Sequence, residues 1–190
     1  TNYPLLEHIA KKDLPIILST GLHTLGEIED AVGVINSAGN NQLALLQCTS
    51  HYPIEPKDVH LRVMDTLRYA FQVPVGYSDH TTGISVTLAS VALGANVVEK
   101  HFTFDTKAFG VDHDASIGPK ELEEMVKGIR DVESALGSSV KIIPEIEREI
   151  QKVHRPSIVS STYIPAGTII TREMLSIKKP GTGIHPRDMD

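Results

Sequence analysis

Tryptophan is absent from these 190 residues, cysteine occurs once, and aromatic side chains make up only 5%. A single thiol, Cys48, excludes an intrachain disulfide. The chain therefore reads as a protein of a reducing compartment, with the cytoplasm as its expected location. No apolar run approaches the roughly 20 residues that a membrane span needs. No basic start followed by an apolar core is seen, so no secretory leader is expected. Positive charge is in deficit too: 18 Lys and Arg stand against 24 Asp and Glu, for a net charge of -6. That balance disfavours nucleic acid or an anionic membrane as partner, while a local field inside a cleft could still take an anionic small molecule.

What is present is an alternation of short β-rich runs and amphipathic helices. With 41% hydrophobic residues the chain can build a core for one domain and an appendage. It opens at Thr1 and enters a short apolar helix, Leu5 to Ala10, almost at once, which is the expectation for a start between two elements of something larger. Pro15 to Thr20 reads as the first strand. Thr24 and Glu27 then form a Ser/Thr-x-x-Glu capping pair, and Leu25, Ile28, Val32 and Ile35 recur at helical spacing up to Gly39. Leu43 to Cys48 is the second strand, followed by a helix with Leu61, Met64, Leu67 and Phe71 on one face. Val73 to Ser78 and Asn96 to Phe102 are the third and fourth strands. Their helices carry Ile84, Leu88 and Val91, and then Leu122, Met125, Ile129 and Val132 after Gly118-Pro119.

Four β-α units of roughly thirty residues each match parallel crossovers, and strands apolar on both faces match a buried parallel sheet. An open doubly wound sheet and half of an eight-stranded β/α barrel both satisfy this pattern. Past Gly137 the texture changes. Lys141 to His154, with Glu145, Glu147, Glu149 and Lys152, reads as a solvated, partly helical linker. Ser157 to Ser161 and Ile164 to Ile170 read as strands around a Pro-Ala-Gly turn, the start of a small second domain.

In parallel β/α architectures the chemistry sits at the C-terminal strand ends. There the chain places Ser19-Thr20-Gly21, Thr49-Ser50-His51-Tyr52-Pro53, Ser78-Asp79-His80-Thr81 and Glu99-Lys100-His101-Phe102. Asp112-His113-Asp114 follows the last of these. His80 and His101 close consecutive strands, which lie about 5 Å apart in a sheet. Two neutral imidazoles so held suit a divalent transition metal such as Mn²⁺, although either histidine alone could simply cap its strand. Glu99 lies two positions before His101 and points the same way. Glu99 and Asp112 are candidate acid/base or substrate-hydroxyl partners, and Asp112 could equally be a solvated loop acid. Ser19 and Ser78 stand at strand-helix junctions, where unpaired amides hold phosphate well, and both also fit routine turns. Tyr52 could stack on a sugar or only fix its loop. Cys48 reads as a small buried core residue.

The blocks Ile17-Leu18-Ser19-Thr20-Gly21, Leu46 to Pro53, Gly76-Tyr77-Ser78-Asp79-His80-Thr81, Glu99-Lys100-His101-Phe102-Thr103 and Asp112-His113-Asp114-Ala115-Ser116 occur in this order. Together they resemble the N-acetylneuraminate (sialic acid) synthase family. Lys178-Lys179-Pro180-Gly181-Thr182-Gly183-Ile184 is similar to the opening of that family's antifreeze-like (SAF) domain. The resemblance implies an α/β fold, a (β/α)8 TIM barrel represented here by about strands five to eight. It divides the chain into a half-barrel over residues 1–140, a linker over 141–155 and an incomplete SAF domain over 156–190.

It further implies a transferase that condenses phosphoenolpyruvate with N-acetylmannosamine or a related N-acyl sugar. The products would be a nonulosonic acid and phosphate, released by C–O cleavage. His80 and His101 would hold Mn²⁺ or Mg²⁺. Ser19, Ser50 and Ser78 would contact phosphoenolpyruvate, and Tyr52, Glu99 and Asp112 the sugar or its reacting oxygens. Lys179 would reach the partner subunit's site in a homodimer. The family usually has Asn where Ser50 stands and Arg where Lys179 stands, and a lysine cannot make the forked contact. The family's phosphate-binding lysines fall on strands one to four, so the fragment alone is expected to have little activity. Legionaminic, pseudaminic or spore-coat sugar synthesis, and a non-catalytic carbohydrate-binding role, are the alternative expectations.

Overall fold

In the computed structural model, residues 2–189 are described. They fall into two compact units, Thr1–Gly137 and Ser138–Asp190. In the first, helix α1 (Tyr3–Ala10) precedes four alternating strands and helices: β1 (Ile16–Ser19), α2 (Leu25–Ser37), β2 (Leu43–Cys48), α3 (Val63–Phe71), β3 (Val75–Asp79), α4 (Ser85–Ala92), β4 (Val98–Lys100) and α5 (Pro119–Leu136). The α2 start follows from its capping pair. The Glu27 carboxylate accepts from the Thr24 amide at 2.7 Å, and the Thr24 hydroxyl takes the Glu27 amide at 3.4 Å. Two amide donors that a helix end would otherwise leave bare are satisfied.

All four strands are parallel and lie in the order β1-β2-β3-β4. A doubly wound sheet reverses its strand order at a switch point, and none occurs here. One face carries Ile16, Leu43, Leu45, Val75 and Tyr77, packed with Ala10, Ile28, Val32, Ile35, Met64 and Leu67 from α1, α2 and α3. Fully burying each such aliphatic side chain contributes about 2 kcal/mol. Sequential order with the helices on one face is the arrangement of a half-barrel, and it resolves the ambiguity that strand periodicity alone leaves.

The opposite face carries Ile17, Ala44, Leu46 and Gly76, and it becomes polar toward the strand ends. Leu46 is fully buried while Ile17, on the edge strand, is 57% exposed. Gly76 lets β2 and β4 close around β3. A Cβ there would run into the Val97 carbonyl oxygen and lie 2.7 Å from Leu46 Cδ2.

The second unit contains helix α6 (Glu145–His154) and an antiparallel pair, β5 (Ser157–Ser160) with β6 (Leu175–Lys178). The expected strand over 164–170 is not formed. The Thr168 amide closes a turn on the Pro165 carbonyl at 3.2 Å, Gly167 has φ +83°, and Ile169 is left 87% exposed. A proline without an amide and a left-handed glycine both break a ladder, so β5 finds its partner later in the chain. Gly181 packs against the Arg155 backbone, and its amide donates to the Lys152 carbonyl at 2.9 Å. On α6, Glu145 and Glu149 pair with Arg148 and Lys152 one turn on, all solvent-exposed. Among the described residues, no helix is long and apolar enough to cross a membrane.

Gly76→Ala is expected to lower stability by about 2 kcal/mol, the usual cost of overpacking. Gly33→Ala, in α2 with open space around it, should raise it by about 1 kcal/mol through helix propensity. Urea unfolding of the two variants beside the parent gives both numbers. Equal effects from the two substitutions would remove the packing argument.

Candidate active site

The register between β3 and β4 builds the site. Ser78 lies opposite Glu99, and Asp79 opposite Lys100. One residue further on stand His80 and His101. Side chains alternate along a strand, so Ser78 and His80 share one face with Glu99 and His101, whereas Tyr77, Asp79 and Lys100 turn toward the helices. The two imidazole rings lie 5.3 Å apart between centroids. Tyr52, from the loop after β2, completes a triangle. Its ring is 4.1 Å from that of His80 and 5.3 Å from that of His101, the latter edge-on.

His80 is held at several points. Its Nδ1 lies 2.9 Å from the Thr49 carbonyl oxygen. A carbonyl only accepts, so Nδ1 carries the proton in the neutral ring and Nε2 keeps its lone pair, the form a metal ligand needs. The His80 carbonyl accepts from the Ile54 amide at 3.0 Å, and Ile54 itself is buried. That bond docks the Tyr52 loop onto the tip of β3. Ser78 donates to Glu99 Oε1 at 2.7 Å, with its oxygen 3.4 Å from His80 Nε2. A carboxylate, a hydroxyl and an imidazole thus lie side by side on the open face, the hydroxyl proton given to Glu99 and His80 Nε2 left with its lone pair.

Around Tyr52 the structure gathers Ser50, Cys48, Glu99 and Asp112. Partial burial pushes the Tyr52 hydroxyl above its ordinary pKa. Electrostatic interactions with Cys48, Asp112 and Glu99 push the same way, and a Ser50 hydrogen bond only partly opposes them. Tyr52 is therefore a neutral O–H donor at physiological pH. Asp112 adopts a left-handed backbone, φ +67°, and its carbonyl accepts the Ser116 hydroxyl at 2.6 Å. With Tyr52, Lys107 and His113 it lines a polar cleft of about 420 Å³. Cys48 corrects an expectation. It is only half-buried and faces the site side, where its Sγ would sit 3.1 Å from a Cβ added at Gly21. The apolar surroundings of β2 hide this, because alternation sends Leu45 and Gln47 to the helices and Cys48 the other way.

Ser19 stands apart from this cluster. Ser19 is exposed at the tip of edge strand β1, level with Leu46 and Gly76 and so one layer below Ser78 and Glu99. Its neighbour Thr20 is consumed structurally, its amide and hydroxyl both donating to the Leu46 carbonyl at 3.0 and 2.8 Å. Lys179 belongs to the second unit, exposed, with Nζ 3.2 Å from His154 Nδ1. Among the described residues no group of three or more His, Cys, Asp and Glu side chains is arranged to hold a metal ion. His80 and His101 fit a divalent cation as two of its ligands, with the other positions open to water or substrate oxygens.

A model of the NeuB family matches residues 1–141, and one of the SAF domain matches residues 155–190. The N,N'-diacetyllegionaminic acid synthase of Legionella pneumophila is 44% identical over 193 aligned residues, covering 100% of this chain and 54% of that protein. The human N-acetylneuraminate-9-phosphate synthase is 42% identical over 178, covering 93% and 49%. A crystal structure of N-acetylneuraminic acid synthetase from Leptospira borgpetersenii, in complex with citrate, superposes with a TM-score of 0.72 at 37% identity, covering 78% of this chain and 52% of that one. The chain thus spans about half the length of the relatives it matches.

Behind the histidines, on the helix face, lies a group that strand patterning passes over. Asp79 and Lys100 form an ion pair at 3.1 Å with side chains 0% and 2% exposed. Asp79 Oδ1 accepts from the Tyr77 hydroxyl at 3.1 Å and from the Thr81 amide and hydroxyl, each at 2.8 Å. Oδ2 accepts from the Thr87 hydroxyl at 2.5 Å. Burial alone would raise the Asp79 pKa. The Thr87 and Thr81 hydrogen bonds and the Lys100 charge outweigh it and hold the carboxyl below its ordinary value. The available signal is a pair of opposite charges at matching register positions inside apolar strands, since buried charges occur almost only when paired. Thr87→Val removes one donor to this buried carboxylate at nearly constant volume. It should cost about 2 kcal/mol in urea unfolding, and a neutral result would mean that the carboxylate is satisfied without it.

Proposed function

The chain belongs to the NeuB family and continues into a SAF domain, and on that premise we propose that it supplies active-site residues of a synthase joining phosphoenolpyruvate to an N-acylated amino sugar. In this reading its strands correspond to strands five to eight of the barrel. The sugar is N-acetylmannosamine or a close analogue, and the likeness to a diacetyllegionaminic acid synthase supports a diacetamido sugar as the second possibility. The observation that carries the proposal is the triangle of Tyr52, His80 and His101 beside the linked Ser78 and Glu99.

C3 of phosphoenolpyruvate forms a bond to the aldehyde carbon of the open-chain sugar, whose oxygen takes up a proton. Water adds at C2, losing one proton, and the resulting hydroxyl gives up its remaining proton to the departing phosphate as the C2–O bond to phosphate breaks, leaving a ketone. His80 and His101 would hold Mn²⁺ or Mg²⁺. When bound, such an ion supplies Lewis-acid polarisation of a carbonyl and orientation of water.

The remaining roles follow from placement. Glu99, solvent-accessible with Oε1 fixed by Ser78, is positioned to exchange a proton with water or the sugar oxygen. Ser78, with Ser50 and Ser19, contacts phosphoenolpyruvate. Tyr52, as a neutral donor, and Asp112, as an acceptor across the cleft, bind sugar hydroxyls. Lys179 acts from the SAF domain on the partner subunit's site in a homodimer. Four open strands do not make a closed barrel, so the 190-residue chain by itself is expected to turn over these substrates poorly.

Two measurements test this. Titration of the chain with Mn²⁺ by calorimetry should show binding that His80→Ala and His101→Ala each weaken by at least about tenfold, as loss of a ligand requires. Identical isotherms for parent and variants would rule out the histidine pair. In a polypeptide where this sheet is completed to a closed barrel, phosphoenolpyruvate labelled with ¹⁸O at its bridging oxygen should deliver the label to inorganic phosphate in a sugar-dependent reaction. Label retained in the organic product would exclude C–O cleavage.

A further inference from the structure

We infer that the buried Lys100–Asp79 ion pair is a positioning device for the two imidazoles rather than a source of stability. The inference deepens the functional reading above and rests on it for its consequence, though not for its geometry. A buried ion pair is in general no better for stability than apolar residues filling the same space, because desolvation offsets the attraction. This pair has a particular address. Asp79 immediately precedes His80, Lys100 immediately precedes His101, and the two face each other across β3 and β4 on the side away from the histidines.

The pair also reaches past His80. Lys100 Nζ donates to the Thr81 carbonyl at 2.6 Å, while Asp79 Oδ1 takes the Thr81 amide and hydroxyl. Both chain neighbours of His80 are thereby tied to the pair, and the residue before His101 is its other half. An ammonium-carboxylate contact has a defined length and direction, which apolar packing lacks. It sets the separation and twist of the strand tips, and through them the 5.3 Å separation of the rings. Neither Asp79 nor Lys100 is a catalytic residue in this scheme, because neither faces the open side.

The test is the double variant Asp79→Asn/Lys100→Met, which removes both charges. The asparagine oxygen can still accept from Thr81 and Tyr77, and the methionine keeps the lysine's reach. The single variant Asp79→Asn serves as a second probe should the double variant not fold. Imidazole ¹⁵N and ¹³C NMR signals of His80 and His101 are followed alongside the methyl signals of Leu45 and Leu67 in the core. The expected result is unchanged core methyls with shifted or multiplied signals from both rings. A roughly tenfold rise in the Mn²⁺ dissociation constant should accompany it, the usual scale for losing support behind a metal ligand. Ring signals that superpose on the parent's overturn the inference, whatever happens to stability. Failure of the parent to bind Mn²⁺ would sink the functional reading instead, and the ring signals would still decide the positioning role.

Discussion

The register that sets Tyr77 against Val98, Ser78 against Glu99 and Asp79 against Lys100 is the constraint from which the site follows. Side chains in a strand alternate strictly, so a slip of one residue exchanges the two faces completely. Slipping β4 by one would send Glu99 and His101 into the helix layer and bring Lys100 and Phe102 to the open face. A carboxylate and an imidazole would then lie buried without partners, at a cost of several kcal/mol. The opposite charges of residues 79 and 100 penalise the same slip from the other side of the sheet. Both faces therefore select one register, and the chemistry on one face is specified partly by electrostatics on the other.

Much of this fold can be read from residue order, and the exceptions are features that near neighbours in the chain do not determine. Leu43 to Cys48 is a strand over its whole length, and the Thr24–Glu27 pair starts a helix, because those signals depend only on near neighbours. The gathering of His80, His101 and Glu99 follows from their positions on adjacent parallel strands, which spacing alone reveals once the sheet is assumed. Cys48 and the 164–170 segment were opaque for different reasons. In a strand apolar on both faces nothing local says which face meets the site, so Cys48 looks like core. A β-rich composition around Pro165 and Gly167 says nothing of where a partner strand will come from. Asp79 and Lys100 meet only when β3 and β4 lie side by side in register, so neither segment alone shows the pair.

Polarity along the open face is layered. Ile17, Ala44 and the buried Leu46 over Gly76 make its lower part apolar, and Cys48, Ser78 and Glu99 form the next layer. The imidazoles stand above these. A polar cluster set on an apolar floor feels a lower effective dielectric than one in open water, which strengthens each hydrogen bond within it. Gly76 contributes by absence: without a side chain it lets Leu46 lie across β3 and seal the floor beneath Ser78.

Precision and variability are separated in this architecture. The groups that need fixed geometry sit at strand tips, where backbone ladders and the ion pair behind them restrict movement. The groups assigned to the sugar, Tyr52 and Asp112, come from loops tethered to the strand tips at points that include Ile54 to His80 in one case and Ile117 to His101 in the other. Loops tolerate change that strands do not, and in β/α folds they surround the same strand-end site. The matched relatives carry the names of different sugar acids, and such a separation accommodates that variety. On the proposed function, the strand-tip groups stay in register while the loop contacts drift, which places any sugar preference in residues 49–54 and 102–117 rather than in the strands beneath them.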